Sequence, residues 1–535
     1  MNTDLSSVER RRLQGLLVDA LAPEHPQVPD SSIIASFLPL RVHETMLNGR
    51  RFLVEGERGA GKTALFRFMR ALTPTVLPIV FPQAPPGLRW VTGFEDSRAF
   101  PNPQALYDWA ERASPQVMER AWFALLVETL ARHLPDTPLP PSVADALRPL
   151  KENPSDVARW VLSFEPVAGL SMAWMDTLEV YLGASSSTII IAYDDLDMIS
   201  RAADLRTAGR LCGALTGTWI TLSRRLQRVQ ARIFIRPDLA DLTRSAATDA
   251  SKLRDSSVTL RWSGEDVFRA LLRRVGSQKA LRDWLRKAPA AVDFSRRPTL
   301  GWMPPSVLPS VPTQLSLGFA ASPEGLSESS QRAFAERLLG ATMGSGSNKG
   351  YTHTWILNHS ADARGTALPR VTFNLIRKAA ELAMVRGEGI HGLHLIGTAQ
   401  LEGAQAEAGR QRLDELKEFH PVVRRLEALR GESLPKPFGE AAALLGRHPV
   451  EEDALGTDGE AVIRALMGIG VLVRRPPSRR RPGSVPSSDP ASEEQRIDLP
   501  DLFRKALDCG RKGGPLQLSR PESTHGGRDR GPGAG

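Results

Sequence analysis

The sequence predicts an α/β fold: a parallel-sheet core with helical insertions, an all-α lid unit and a carboxy-terminal winged-helix-like unit. Three observations carry the core. Ile189-Ile190-Ile191-Ala192-Tyr193 is an uninterrupted apolar run rich in β-branched residues. A strand buried on both faces of a parallel sheet reads this way. Strand-like runs alternate with helical periodicity over residues 31–277, the pattern of strands joined by crossover helices. Between one such strand, Phe52-Leu53-Val54, and the helix that follows lies a glycine-rich turn.

That turn is the most specific signal in the chain. Gly56, Gly61, Lys62 and Thr63 fit G-x-x-x-x-G-K-[ST]. Glycines let the backbone curl so that successive N–H groups point inward at phosphate oxygens, while the lysine adds a point charge near the β- and γ-phosphates. Gly56, Glu57, Arg58, Gly59, Ala60, Gly61, Lys62, Thr63 and Ala64 are therefore the candidate cradle. Lys62 is the candidate catalytic cation. Thr63 offers its hydroxyl to Mg²⁺. The helix predicted from Thr63 to about Arg70 turns its positive end toward the same anion.

The elements follow in order. Residues 1–30 read as an N-terminal helix, Ser6 to Leu21, and a linker. Residues 31–277 form the core, with strands at Arg89–Phe94, Ile189–Tyr193, Arg232–Ile235 and Val258–Trp262. Residues 104–182 are mostly helical, so helices stand between the first strands. Further helices run from about Ala203 to Gln230 and from Gly264 to Val275. Residues 278–330, rich in Pro and Ser, read as an irregular insertion. Residues 331–430 read as the helical lid. Residues 435–512 have helices followed by an apolar strand, Gly468–Val473, and a return strand, Arg496–Leu499, the outline of a winged helix. Residues 513–535 are Gly- and Arg-rich and expected to be disordered.

Bulk properties bound the function. The 535 residues allow two to four domains, with 41% hydrophobic and 24% charged residues as in ordinary soluble proteins. A net charge of +9 hints at an acidic partner, although an Arg-rich composition alone also produces it. Cys212 and Cys509 lie far apart with no C-x-x-C pair, so neither a disulfide framework nor a cysteine zinc site is suggested. No signal core or membrane-length apolar run occurs, so a soluble cytoplasmic protein without membrane contact is expected.

Asp194-Asp195-Leu196-Asp197 stands at the end of the buried run. A carboxylate there can hold the Mg²⁺ that bridges β- and γ-phosphates. Asp194 is the candidate metal-side residue and Asp195 the candidate catalytic base, with Asp197 in support. Arg236 at the end of its strand is a candidate γ-phosphate sensor or else a solvated strand-end arginine. Arg370, before a helix beginning near Thr372, is a candidate that closes with the lid or else a helix-start arginine. Arg273 and Arg274 are two of many arginines able to reach across a subunit interface. His353, His359, His391 and His394 do not have metal-ligand spacing. Arg474, Arg475, Arg479, Arg480 and Arg481 form either a phosphate-binding wing or a solubilising loop.

With Gly56–Thr63 and Ile189–Asp197, the chain resembles bacterial P-loop ATPases of the AAA+/STAND assembly, with a second motif like that of KAP-type NTPases. Arg232–Asp238, Asp249–Leu253, Tyr351–Trp355, Pro369-Arg370, Pro500–Phe503 and Arg511–Gly514 are similar to stretches in uncharacterised bacterial ATPases. The resemblance covers most of residues 33–514 and is specific only at the two motifs. It implies an ATPase core, helical lid and carboxy-terminal winged helix, the order also seen in origin-recognition-type ATPases. It also implies ATP and Mg²⁺ as cofactors, and a nucleotide-driven switch in DNA-associated or phage-defence processes. Where AAA+ proteins usually carry Glu, this chain has Asp195, a shorter carboxylate suited to slow hydrolysis. No clear arginine-finger motif is present. The expected partners are a second copy of the chain, duplex DNA at the basic wing, or an unidentified protein. The expected function is slow Mg²⁺-dependent ATP hydrolysis. The rival is a nucleotide-gated DNA- or protein-binding scaffold that barely cleaves ATP. A P-loop kinase fits less well, because such enzymes are usually far shorter.

Overall fold

A computed structural model describes residues 4–23, 30, 33–47, 49, 51–94, 102–199, 205–246, 250–286, 328–344, 350–387, 389–475 and 495–512. Most of the 278–330 insertion lies outside them, as do Asp249, Arg479, Arg480, Arg481 and the 513–535 tail.

Five strands form one parallel sheet: β1 (Leu53–Glu55), β2 (Leu88–Phe94), β3 (Thr188–Tyr193), β4 (Val229–Ile235) and β5 (Ser257–Thr259), in spatial order β2-β3-β4-β1-β5. Leu53 pairs with Ile233 on one side of β1 and with Ser257 on the other. The α/β class expected from the sequence is therefore the observed class. Every residue of β3 is buried, and the pleat explains why. Ile189, Ile191 and Tyr193 enter one core with Leu53 and Ile233. Ile190 and Ala192 enter the opposite core with Val54, Phe234, Leu65 and Phe66. Alternate side chains thus meet helices on both faces of the sheet.

Helices Pro103–Ala110, Pro115–His133, Val157–Phe164 and Ala168–Ala184 fill the interval between β2 and β3. Ser114 caps the longest of them through Val117 N–H, followed by Pro115 in its first turn. None of the described helices is long and apolar enough to cross a membrane.

A third core joins parts that the sequence separates. Leu13 and Leu17 of helix Ser7–Leu21, Phe268 and Leu271 of helix Gly264–Ser277, Leu375 and Ile376 of helix Pro369–Val385, and Leu401 of helix Thr398–Lys417 share it with Ile463, Ile497 and Leu502. Helix Ser7–Leu21 therefore shares a core with the helical unit. The carboxy-terminal elements are fused to the same unit. Helix Asp501–Ala506 approaches helix Thr398–Lys417 so closely that a Cβ on Gly409 would lie 2.1 Å from the Leu502 carbonyl oxygen. Only glycine fits this crossing.

Several boundaries move. Gly468 and Ile469 finish helix Gly459–Ile469 instead of opening a strand. The short strands β6 (Ser433–Leu434) and β7 (Lys436–Pro437) precede that helix, and the strand after it is β8 (Val473–Arg475). Strand β9 (Arg496–Asp498) pairs antiparallel with β8 and β7 in the order β7-β9-β8. Strand β10 (Gly510–Arg511) pairs with β6. The 278–330 stretch begins with an amphipathic helix, Lys279–Arg286, whose Leu281, Trp284 and Leu285 are buried.

Candidate functional site

The glycine-rich turn sits at the C-terminal end of central strand β1. Two neighbours hold its base: Gly56 N–H donates to Ile235 O at 3.1 Å, and Leu260 N–H donates to Glu55 O at 2.7 Å. Gly59 and Gly61 take φ of +90° and +88°, the left-handed region that a side chain would strain. Gly61 is the N-cap of helix Lys62–Ala71, whose start therefore faces the turn's concavity. Trp262 packs against the turn and lines the same cavity, its indole N–H donating to Ala60 O at 2.9 Å.

Lys62 lies across this cradle, donating to Gly56 O at 2.7 Å and to Glu57 O at 3.4 Å. Burial pulls its pKa below the usual lysine value, opposed by the carboxylates of Asp194, Asp197 and Glu57. Asp194 leaves the end of β3 almost fully buried. Burial pushes its carboxyl up to about 6, against the pull of Lys62 and hydrogen bonds from the Thr63 side chain and Asp195 backbone. Its Oδ2 is buried without a hydrogen-bond partner. An orphaned carboxylate oxygen beside a threonine hydroxyl fits a hard divalent cation, which takes oxygen ligands from one or two carboxylates and from phosphates.

Asp195 has φ +53°, a left-handed conformation that aspartate tolerates better than most residues. It lines the same cavity as Asp194 and Asp197. Arg236 continues β4 and is 5% exposed. Its guanidinium holds Asp238 through two bonds, one of 3.0 Å, and reaches Asp197 at 3.3 Å. The guanidinium also stacks 3.9 Å from the centroid of Phe419. Arg236 is thus no solvated strand end: it ties the sheet, the acidic turn and the helical unit together. Burial lowers its pKa, but Asp238 and Asp197 more than reverse this.

Arg370 lies in the first turn of helix Pro369–Val385, which starts three residues earlier than the sequence suggested. A Cβ on Gly59 would lie 2.9 Å from the Arg370 Cβ, so this arginine sits directly over the turn. Its half-exposed guanidinium is 3.9 Å from Glu415. Arg58 pairs with Glu418 at 2.5 Å, and its backbone oxygen accepts from Arg412 at 3.2 Å.

One cavity of about 510 Å³ gathers these groups: Arg58, Gly59, Gly61, Lys62, Thr63 and Ala64, the three aspartates, Arg236 and Arg370. Its volume lies in the usual range for small-molecule sites. Gly56, Glu57 and Ala60 shape the loop without lining the cavity. The far end was not visible in the sequence. Leu21, Pro23, Ile33, Phe37, Leu38 and Phe373 make it apolar, and they come from segments hundreds of residues apart. Arg274 shapes this end by donating to Ala20 O and Ala22 O, each at 2.8 Å. Arg273 donates to Phe37 O and Ile34 O. Both are engaged within the chain, which disfavours them as arginines reaching a neighbouring subunit. Trp262 and Phe419 carry no sequence signature.

Outside the cavity, His353 and His359 are in the helical unit, and His359 stacks on Trp355 with centroids 3.9 Å apart. Among the described residues no group of three or more His, Cys, Asp or Glu could hold a metal.

No family model and no curated protein matches the chain. Two solved structures of the Aeropyrum pernix ORC2 protein align with it. One, of the ADPNP–ADP complexes, covers 91% of this chain and 96% of that chain, with 11% identity and a TM-score of 0.36. The other, of the ADP form, covers 92% and 95%, with 10% identity and a TM-score of 0.31. Likenesses this weak carry no weight for the chemistry of this chain.

Proposed function

We propose that the chain binds ATP with Mg²⁺ and hydrolyses it slowly to ADP and phosphate, as a switch that moves the helical unit against the sheet. The supporting observation is the convergence, on one cavity, of the Gly59–Thr63 turn, the Asp194 carboxylate with its unpartnered Oδ2, and Arg236 and Arg370 beneath the helical unit. Lys62 and the loop amides hold the phosphates in this reading. Thr63 and Asp194 hold the Mg²⁺, which supplies charge neutralisation between the β- and γ-phosphates. Asp195 orients water, while Arg236 and Arg370 meet the γ-phosphate. The apolar end receives the base. The test is phosphate release by purified protein: the double variant Lys62→Ala/Asp195→Asn loses it, and unchanged turnover would end this reading.

The second reading is a nucleotide-gated scaffold that holds ATP and barely cleaves it. It is favoured by Asp195 being a short carboxylate in a left-handed backbone position. ATP bound without phosphate release selects it. In this reading the gated partner is duplex DNA or a protein. On helix Gly459–Ile469 the exposed Arg464 pairs with Glu460 at 3.6 Å. Arg475 pairs with buried Asp498 at 2.8 Å, and Arg474 bonds Gln495 at 3.0 Å. Arg464 and Arg475 are thus paired with carboxylates, while Arg474 keeps its charge beside a neutral glutamine.

A further inference from the structure

The variable positions of the phosphate loop are tied to the rest of the chain, and one tie is built differently from an ordinary surface ion pair. Glu57 accepts from Arg364 at 3.0 Å. The same guanidinium donates through its other terminal nitrogen to Gly468 O, in the last turn of helix Gly459–Ile469. A backbone bond runs beside it, from Ala363 N–H to Gly470 O at 2.9 Å. One arginine therefore joins the nucleotide loop to the helix end of the carboxy-terminal unit.

The turn that carries Arg364 is internally braced. Asp362 Oδ1 accepts from the backbone N–H groups of Arg364 and Thr366, each at 2.9 Å. Asp362 N–H donates to Thr366 O at 3.1 Å, and Gly365 N–H donates to Asp362 O at 3.0 Å. Ala361 and Ala367 pair across its base. The bracing fixes the backbone from which Arg364 extends, so only its side-chain torsions remain to be ordered. Glu57, Arg58, Arg236, Arg364 and Gly468 also line a second cavity of about 140 Å³, so there is room beside the tie for the loop to re-seat.

Resting on the reading of the main cavity as an ATP site, we propose that Arg364 is a positioning residue that couples the phosphate loop to docking of the carboxy-terminal unit, and that a bound triphosphate loosens the tie. The reason is the state of Lys62. Its ammonium bonds the carbonyls of Gly56 and Glu57. A triphosphate offers the ammonium charged oxygens instead, which make stronger hydrogen bonds than carbonyls do. Lys62 then leaves the Glu57 carbonyl, the loop opens at residue 57, and the Glu57 carboxylate moves relative to Arg364. Added negative charge in the cradle also repels that carboxylate. Linkage is reciprocal, so whatever nucleotide does to the tie, the tie does to nucleotide affinity. Cutting the tie therefore tightens ATP binding.

The experiment uses the full chain, with hydrogen exchange at residues 459–475 and at Ala363, and ATP affinity by titration with Mg²⁺ present. In the unsubstituted protein ATP raises exchange at these amides. Arg364→Ala shows raised exchange without ATP, little further change with it, and an affinity tighter by about two- to fivefold, the size set by an exposed charge contact. Arg364→Lys, which keeps the charge but loses the fork, falls between. Thermal melting accompanies each variant, because a merely structural arginine would lower the melting temperature without tightening ATP. If ATP binds and exchange at residues 459–475 does not respond, or Arg364→Ala binds ATP equally or less tightly, the coupling is overturned while the ATP site stands. If the unsubstituted protein binds no ATP, both fall together.

Discussion

The two ends of the main cavity are made in opposite ways. The phosphate end comes from a contiguous stretch, Gly56 to Thr63, and one strand terminus, Asp194 to Asp197. The apolar end comes from Leu21 to Pro23, Ile33 to Leu38, and Phe373, brought together by packing and by the bonds of Arg273 and Arg274 to backbone carbonyls. A phosphate cradle has to be local because its donors are successive backbone amides on one turn. An apolar wall needs only surfaces of suitable size, and any segment the fold delivers can supply them. The contrast implies that the two ends respond to different perturbations.

Acid separates them first, with the largest expected effect. His43 is fully buried behind the apolar end, stacked 5.4 Å from Phe37, with its Nδ1 accepting Leu40 N–H at 3.0 Å. Burial holds its pKa down at about 3, below the model-compound value of 6.5. The folded protein keeps the ring neutral while the unfolded chain protonates it, so stability is full above pH 6.5 and drains as pH falls toward 3. The loss from this residue is on the order of a few kcal/mol by pH 4.5. Chemical denaturation of His43→Asn should show a shallower loss between pH 6.5 and 4.5 than the unsubstituted protein. Equal slopes would mean that His43 is not the acid-sensitive brace of this end.

Phe373→Leu tests the apolar end more directly. Removing an aromatic face while keeping most of the volume should weaken ATP by up to about tenfold. Inorganic tripolyphosphate, which has no base, should compete as well as before. Equal loss for both ligands would mean that the two ends are not separable.

This division also explains what the sequence disclosed. The sheet was legible because Ile189 to Tyr193 must be apolar on both faces, and the cradle because Gly59 and Gly61 need left-handed backbone. The helix end at Gly468-Ile469 reads as strand in the sequence because an apolar run closing a helix looks the same as one opening a strand. For Arg236 the sequence leaves a γ-phosphate sensor and a solvated strand-end arginine open, because nothing local announces that Phe419, 183 positions later, covers it. The common core of helix Ser7–Leu21 and the helical unit had no local signal either, since amphipathic helices do not name their partners.

Trp262 is where the comparison can be sharpened most finely, with the smallest effect. It touches both ends: its indole N–H holds Ala60 O at 2.9 Å, and its ring lies edge-on to His43 with centroids 6.5 Å apart. Trp262→Phe keeps an aromatic ring against the loop and removes the donor, leaving the Ala60 carbonyl without that bond. The cost should be about 1 kcal/mol in loop order, read as roughly a fivefold weakening of nucleotide. Because the lost bond belongs to the cradle and not to the wall, ATP and tripolyphosphate should weaken together, the reverse of the pattern for Phe373→Leu. Titration of both ligands against both variants settles the matter. If Trp262→Phe weakens ATP alone, Trp262 acts as part of the apolar wall, and the cradle keeps its shape without the indole bond.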